Sequence, residues 1–175
     1  MTRQPFLVLD SNDIEPFTHP DELGYHSQHV LGRDITGGHD LLLNRGTVDP
    51  HYDLGGGNHP DNDEIYFAVS GEALVDLGGD PDTGEGHTTY TLREGGVVFV
   101  PAGTFHRLRN HSDQEFVLLT IWPQPATRGA NGIHDARLDT WGTGLRFRDG
   151  CGIRSVNDDG GRVVAPDHDP LGTIA

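Results

Sequence analysis

Residues 59–71 read "HPDNDEIYFAVSG": a histidine, four polar turn-forming residues, then a glutamate at the head of an apolar run. Inward positions of a strand normally carry hydrocarbon, and a carboxylate buried there without a partner is costly. Glu64 therefore needs one, and His59, a short turn earlier, is a candidate. Alternation puts Glu64, Tyr66 and Ala68 on one face of the strand and Ile65, Phe67 and Val69 on the other. Both faces are largely apolar, which suits a strand between two packed layers.

Working outward, "SG" at 70 and 71 turns the chain into a second strand at 72–77. The acidic loop that follows, including His87, reads as a solvated hairpin tip. Further strands are expected at 88–92, 97–100 (stopped by Pro101), 105–110 and 115–122 (stopped by Pro123), with "LLLN" at 41–44 as the first firm one. Twenty-five glycines and eleven prolines accompany them. Short strands punctuated by turn residues predict an all-β sandwich or barrel.

The 175 residues suit one domain. The reading divides it into an N-terminal arm, 1–40, a β core, 41–123, and a C-terminal tail, 124–175, that packs on the core. "NGIHDARLDTW" in the tail has the length for one short helix, with Trp141 placed to help cover an open end of the barrel.

Twenty-seven acidic against twelve basic side chains give a formal charge of −15. Such a surface repels phosphate backbones and anionic lipid heads, which argues against a nucleic-acid or membrane partner. The single cysteine, Cys151, can form no intramolecular disulfide. The only apolar residues near the start, "FLVL", are too few for a signal peptide, and no stretch reaches the length of a membrane span. The expectation is a cytoplasmic protein. No serine sits in a G-x-S-x-G turn, and the glycine runs lack the following helix of a phosphate-binding loop.

A second histidine raises the question posed by Glu64. In "GGVVFVPAGTFHRLRN", 95–110, His106 and Leu108 face one way and Arg107 and Arg109 the other. If the sheet curls so that both strands face one interior, two imidazoles and a carboxylate converge, which is a donor set for a divalent ion. Tyr66, one strand step deeper than Glu64, either lines the pocket and hydrogen-bonds a ligand or fills the core.

These stretches resemble the two motifs of the cupin family. Gly95, Pro101, Gly103, His106 and Asn110 stand at the spacing of its second motif, and His59, Glu64 and Gly71 match the second half of its first. The resemblance covers roughly residues 41–123. It implies a small antiparallel jelly-roll barrel with a metal near one end, with His59, Glu64 and His106 as ligands. Homodimers are common among similar barrels.

One position departs from the motif: Gly57 stands where the family has a further histidine. Three arrangements stay open. The site is a two-histidine, one-carboxylate triad of the kind found in non-haem Fe(II) oxygenases; or His51, or Asp61, substitutes for the absent ligand; or the metal has been lost. The expected function is a metal-dependent enzyme acting on a small organic molecule, with Fe(II) and O2 favoured. A Zn, Ni or Mn isomerase, lyase or cyclase, and a binding protein without turnover, are the alternatives.

Overall fold

The computed structural model describes residues 11–32, 41–122, 132–142 and 145–148. Cys151, His39 and His168, the "FLVL" run and most of the segment read as a tail lie outside the described residues.

Among the described residues, ten strands follow a 3₁₀ turn at Ser11–Asp13: β1 (Phe17–Thr18), β2 (Tyr25–Leu31), β3 (Leu42–Val48), β4 (Asp53–Gly57), β5 (Glu64–Ser70), β6 (Glu72–Leu77), β7 (Thr88–Arg93), β8 (Val97–Val100), β9 (His106–Arg109) and β10 (Phe116–Trp122). Helix α1 spans Gly132–Trp141. The strands form two sheets, ordered β1-β2-β3-β10-β5-β8 and β4-β9-β6-β7. All pairings within them are antiparallel. This is the expected all-β jelly roll.

Both sheets feed one core. Tyr25, Val48, Tyr66, Ala68, Val100, Phe116 and Leu118 come from the larger sheet, and Ala73, Val75, Leu92 and Leu108 from the smaller. Alternation produces this: β3 and β9 bury every second residue. The outer face of β5 departs from expectation, because Phe67 and Val69 stay 39% and 38% exposed and are joined there by Val97 and Phe99 of β8. No second layer covers them among the described residues.

The segment read as an arm contributes β1 and β2, and β2 pairs along almost its whole length with β3. Between "LLLN" and Glu64 the chain forms the rest of β3 and all of β4. β4 is "DLGGG", a strand by virtue of its pairing with β9 more than its side chains.

The motif residues outside the site have visible structural duties. Asn110 donates through Nδ2 to the carbonyls of Val48, Asp49 and Gln114 at 3.1, 3.0 and 2.7 Å, and its Oδ1 accepts from the Ser112 N–H. Gly71 has φ +79°, and a Cβ there would stand 2.7 Å from the Glu115 carbonyl oxygen, so only glycine fits.

Candidate metal centre

The two sheets hold the candidate residues at one end of the barrel. Glu64 opens β5 and is 3% exposed; His106 opens β9 and is 9% exposed. His59 arrives from the turn between β4 and β5. Hydrogen bonds join the two motifs: the Gly103 N–H donates to the His59 carbonyl at 2.8 Å, and the Ala102 N–H to Asp63 Oδ1 at 2.9 Å. The turn that precedes His106 therefore also fixes the turn that carries His59.

Within this frame Glu64 Oε2 lies 3.6 Å from His59 Nε2 and 3.5 Å from His106 Nε2. One ligand atom from each residue falls within 4.8 Å of the others. Donors around an ion at about 2.0–2.2 Å stand about 3–4 Å apart, so Glu64 is at ligand spacing from both imidazoles. The His106 Nδ1–H donates to the Thr104 carbonyl at 3.0 Å, which leaves its Nε2 lone pair facing the carboxylate. The His59 ring packs against the Trp122 indole, with centroids 4.3 Å apart.

The electrostatics suit a cation. Burial pushes the Glu64 carboxyl up to about 8, partly offset by the nearby Tyr66 hydroxyl and Trp122 indole N–H. Burial, with the neighbouring His106, takes His59 down to about 4, and burial also lowers His106. Two imidazoles held neutral flank a carboxyl whose Oε2 is buried with no hydrogen-bond partner among the described residues. A divalent ion would supply the charge that this oxygen lacks, so the residues fit a metal.

Tyr66 is buried on the same face of β5, its ring edge-on to His106 at 6.1 Å, and burial beside Glu64 holds its phenol protonated far above the ordinary range. His51 is not part of the cluster. It has φ +59°, its side chain is 63% exposed, and its Nε2 lies 2.8 Å from Asp113 Oδ1 on the surface. A ring committed to an exposed carboxylate in a different turn cannot also face Glu64, and Asp61 is exposed as well. Gly57 is the register partner of His106, and a Cβ added to it would meet nothing within 4 Å.

A cavity of about 640 Å³ opens from the cluster into the barrel. It is lined by Leu54 and Gly57 on one side, by Asn44, Leu118 and Thr120 along the larger sheet, and by Ile133 of α1. Sequence reasoning missed Ser27, Asn44 and Thr120, which are polar side chains at inward positions of strands. Helix α1 lines the cavity with Gly132 and Ile133, and behind the wall Arg137, 1% exposed, donates to Ser27 Oγ and lies 3.5 Å from Asn44 Oδ1. Trp141, expected over the barrel mouth, sits edge-on against Phe17 of β1 at 5.0 Å.

A family model described as "Cupin domain" matches residues 45–122. An uncharacterized protein of Acanthamoeba polyphaga mimivirus is 31% identical over 91 residues, which make up 52% of this chain and 54% of that protein. One from Streptomyces coelicolor is 39% identical over 61 residues, 35% of this chain and 50% of that protein. The chain spans about half the length of these curated relatives. Among solved structures, a predicted oxalate decarboxylase from Thermotoga maritima aligns with a TM-score of 0.56 and 21% identity over 66% of this chain and 96% of that one. The oxalate decarboxylase of Lactobacillus farciminis aligns with 0.55 and 17% over 65% of this chain and 32% of that one. An oxalate oxidase with glycolate bound gives 0.52 and 23% over 61% and 53%. At these identities the structural likeness shows the shared barrel alone.

Proposed function

We propose that this chain, whose residues 45–122 match a cupin domain, is a metal-dependent enzyme that oxidises a small organic molecule with O2. His59, Glu64 and His106 would hold the metal, with Fe(II) as the ion. Bound there, Fe(II) would supply the redox chemistry that lets O2 react with an organic substrate, the usual task of a two-histidine, one-carboxylate set with open positions.

What the chain itself contributes follows from its own side chains. Thr104 holds His106 in the tautomer that offers Nε2, and Trp122 supports the His59 ring from the side. Tyr66 keeps its proton and can donate a hydrogen bond from its hydroxyl toward Glu64 or a substrate oxygen. Leu54, Leu108, Leu118 and Ile133 give the cavity apolar walls that limit water beside the cluster. The position of Gly57 leaves room for a substrate on the cavity side of His106.

The observation that carries the reading is the spacing of Glu64 Oε2 at 3.6 and 3.5 Å from two imidazole nitrogens that approach from different strands and turns. The test is elemental analysis of the purified protein, followed by O2-uptake measurements with the Fe(II)-loaded protein over a panel of small organic molecules. Iron with substrate-dependent O2 uptake is expected. Full turnover under strict anaerobiosis would discard the oxygenase reading in favour of a non-redox one.

A further inference from the structure

The cavity holds a second carboxyl that the metal cluster does not use. Glu22 lines it from the turn before β2, and Glu22 Oε2 is buried with no hydrogen-bond partner among the described residues. In the larger sheet β2 stands three strand spacings from β5, about 14 Å. Tyr25, between them, responds to both Glu22 and Glu64. The two carboxyls thus line one cavity from separate elements, the turn before β2 and the head of β5.

The positive charges near the cavity are already engaged. The chain contains no lysine, so every permanent side-chain cation is an arginine. Arg107 is the one arginine among the described residues that line the cavity, and Asp53 clasps it with both oxygens: Nε to Oδ1 at 2.8 Å, and Nη2 to Oδ2. Arg137 is buried behind the wall, with its guanidinium turned to Ser27 and Asn44. A second carboxylate on a substrate would meet Glu22 with no free arginine beside it, and the His19 imidazole, which also lines the cavity, already faces Glu22. A hydroxyl or ammonium there would instead satisfy an orphaned acceptor, which is where the larger free-energy difference lies.

We propose that Glu22 selects the substrate: the cavity takes a small molecule that presents a hydroxyl or a protonated amine to Glu22 while its other end reaches the His59–Glu64–His106 cluster, and it discriminates against dicarboxylates. The inference rests on the proposed function in taking this cavity as the substrate site.

The test uses 4-aminobutanoate, 4-hydroxybutanoate and succinate, which share one carboxylate end and differ at the other. Binding is followed by ligand-observed saturation-transfer NMR on the Zn(II)-loaded and the metal-free protein. The first two probes are expected to bind the wild-type protein about tenfold tighter than succinate. Glu22→Gln removes the charge but keeps an acceptor, so it should bring 4-aminobutanoate level with succinate and leave 4-hydroxybutanoate unchanged. Glu22→Lys should invert the order. Equal binding of succinate by the wild-type protein, a preference for 4-aminobutanoate over succinate that survives Glu22→Gln, or failure of all three probes to bind would overturn the proposal. A protein that takes up no Zn(II) defeats the metal reading alone, and the metal-free arm then still decides the selectivity.

Discussion

The Gly103 N–H donates to the His59 carbonyl at 2.8 Å, so the turn that directs one imidazole of the cluster also holds the backbone of the other. The second motif thereby positions a residue of the first. Gly103 has φ +72°, and a Cβ there would meet nothing within 4 Å. Gly103→Ala should therefore cost backbone strain without a clash, about 1–2 kcal/mol. For a chain of this size that is a fall in Tm of roughly 2–8 °C, measured by calorimetry, together with weaker metal binding.

Metal binding should be coupled to proton release. At pH 7 His59 and His106 are already neutral, while Glu64, at about 8, still carries its proton. An ion that takes the carboxylate must displace it, so about one proton leaves per ion at pH 7 and almost none at pH 9. Calorimetric titrations in two buffers of different ionisation enthalpy measure this number directly.

The same groups set the pH dependence of the metal-free fold. Glu64 binds its proton more tightly folded than unfolded, so it favours the fold at low pH, and that advantage is lost as pH rises from about 4.5 to about 8. His59 acts in the opposite sense, penalising the fold as pH falls from 6.5 to about 4. Glu64→Gln should thus raise metal-free stability above pH 8 and change it little at pH 5, as read by urea unfolding at the two pH values.

Gly57→His should add a ligand. The position faces His106 in register, lines the cavity and has open space for a side chain. The variant should bind divalent metal about tenfold tighter or more in a competitive chelator titration, and lose substrate-dependent O2 uptake because the new ring fills the space beside the ion.

Asn110→Ala should destabilise the barrel far from the chemistry. It strips a donor from three carbonyls, those of Val48, Asp49 and Gln114, and about 3 kcal/mol is expected from denaturant titration.

Glu64, His59 and His106 were legible because their spacing with Pro101, the glycines and Asn110 is written in two short stretches. The apolar strands β5, β6, β8 and β10 were legible from alternation and from the turns that bound them. β2 was not: its inward residues include Ser27 and His29, polar groups that the barrel tolerates because α1 and the cavity lie over them. β4 escaped because three glycines carry no alternation to read. Arg137 gave no signal, since 93 and 110 residues separate it from Asn44 and Ser27, and Glu22 gave none because no local pattern marks its place in the cavity wall. His51 misled for the converse reason: it is close to the motif in the chain, yet its left-handed backbone turns it to Asp113.

Anaerobic titration of the metal-free protein with Fe(II), repeated on His59→Ala, Glu64→Gln, His106→Ala and His51→Ala, tests the metal centre most directly. One ion per wild-type chain is expected. Loss of any of the first three should weaken binding beyond the roughly 10- to 100-fold that an outer-shell partner is worth, and His51→Ala should leave it unchanged. Absence of binding in the wild-type protein, or binding that survives each of the three ligand substitutions, would contradict the metal centre.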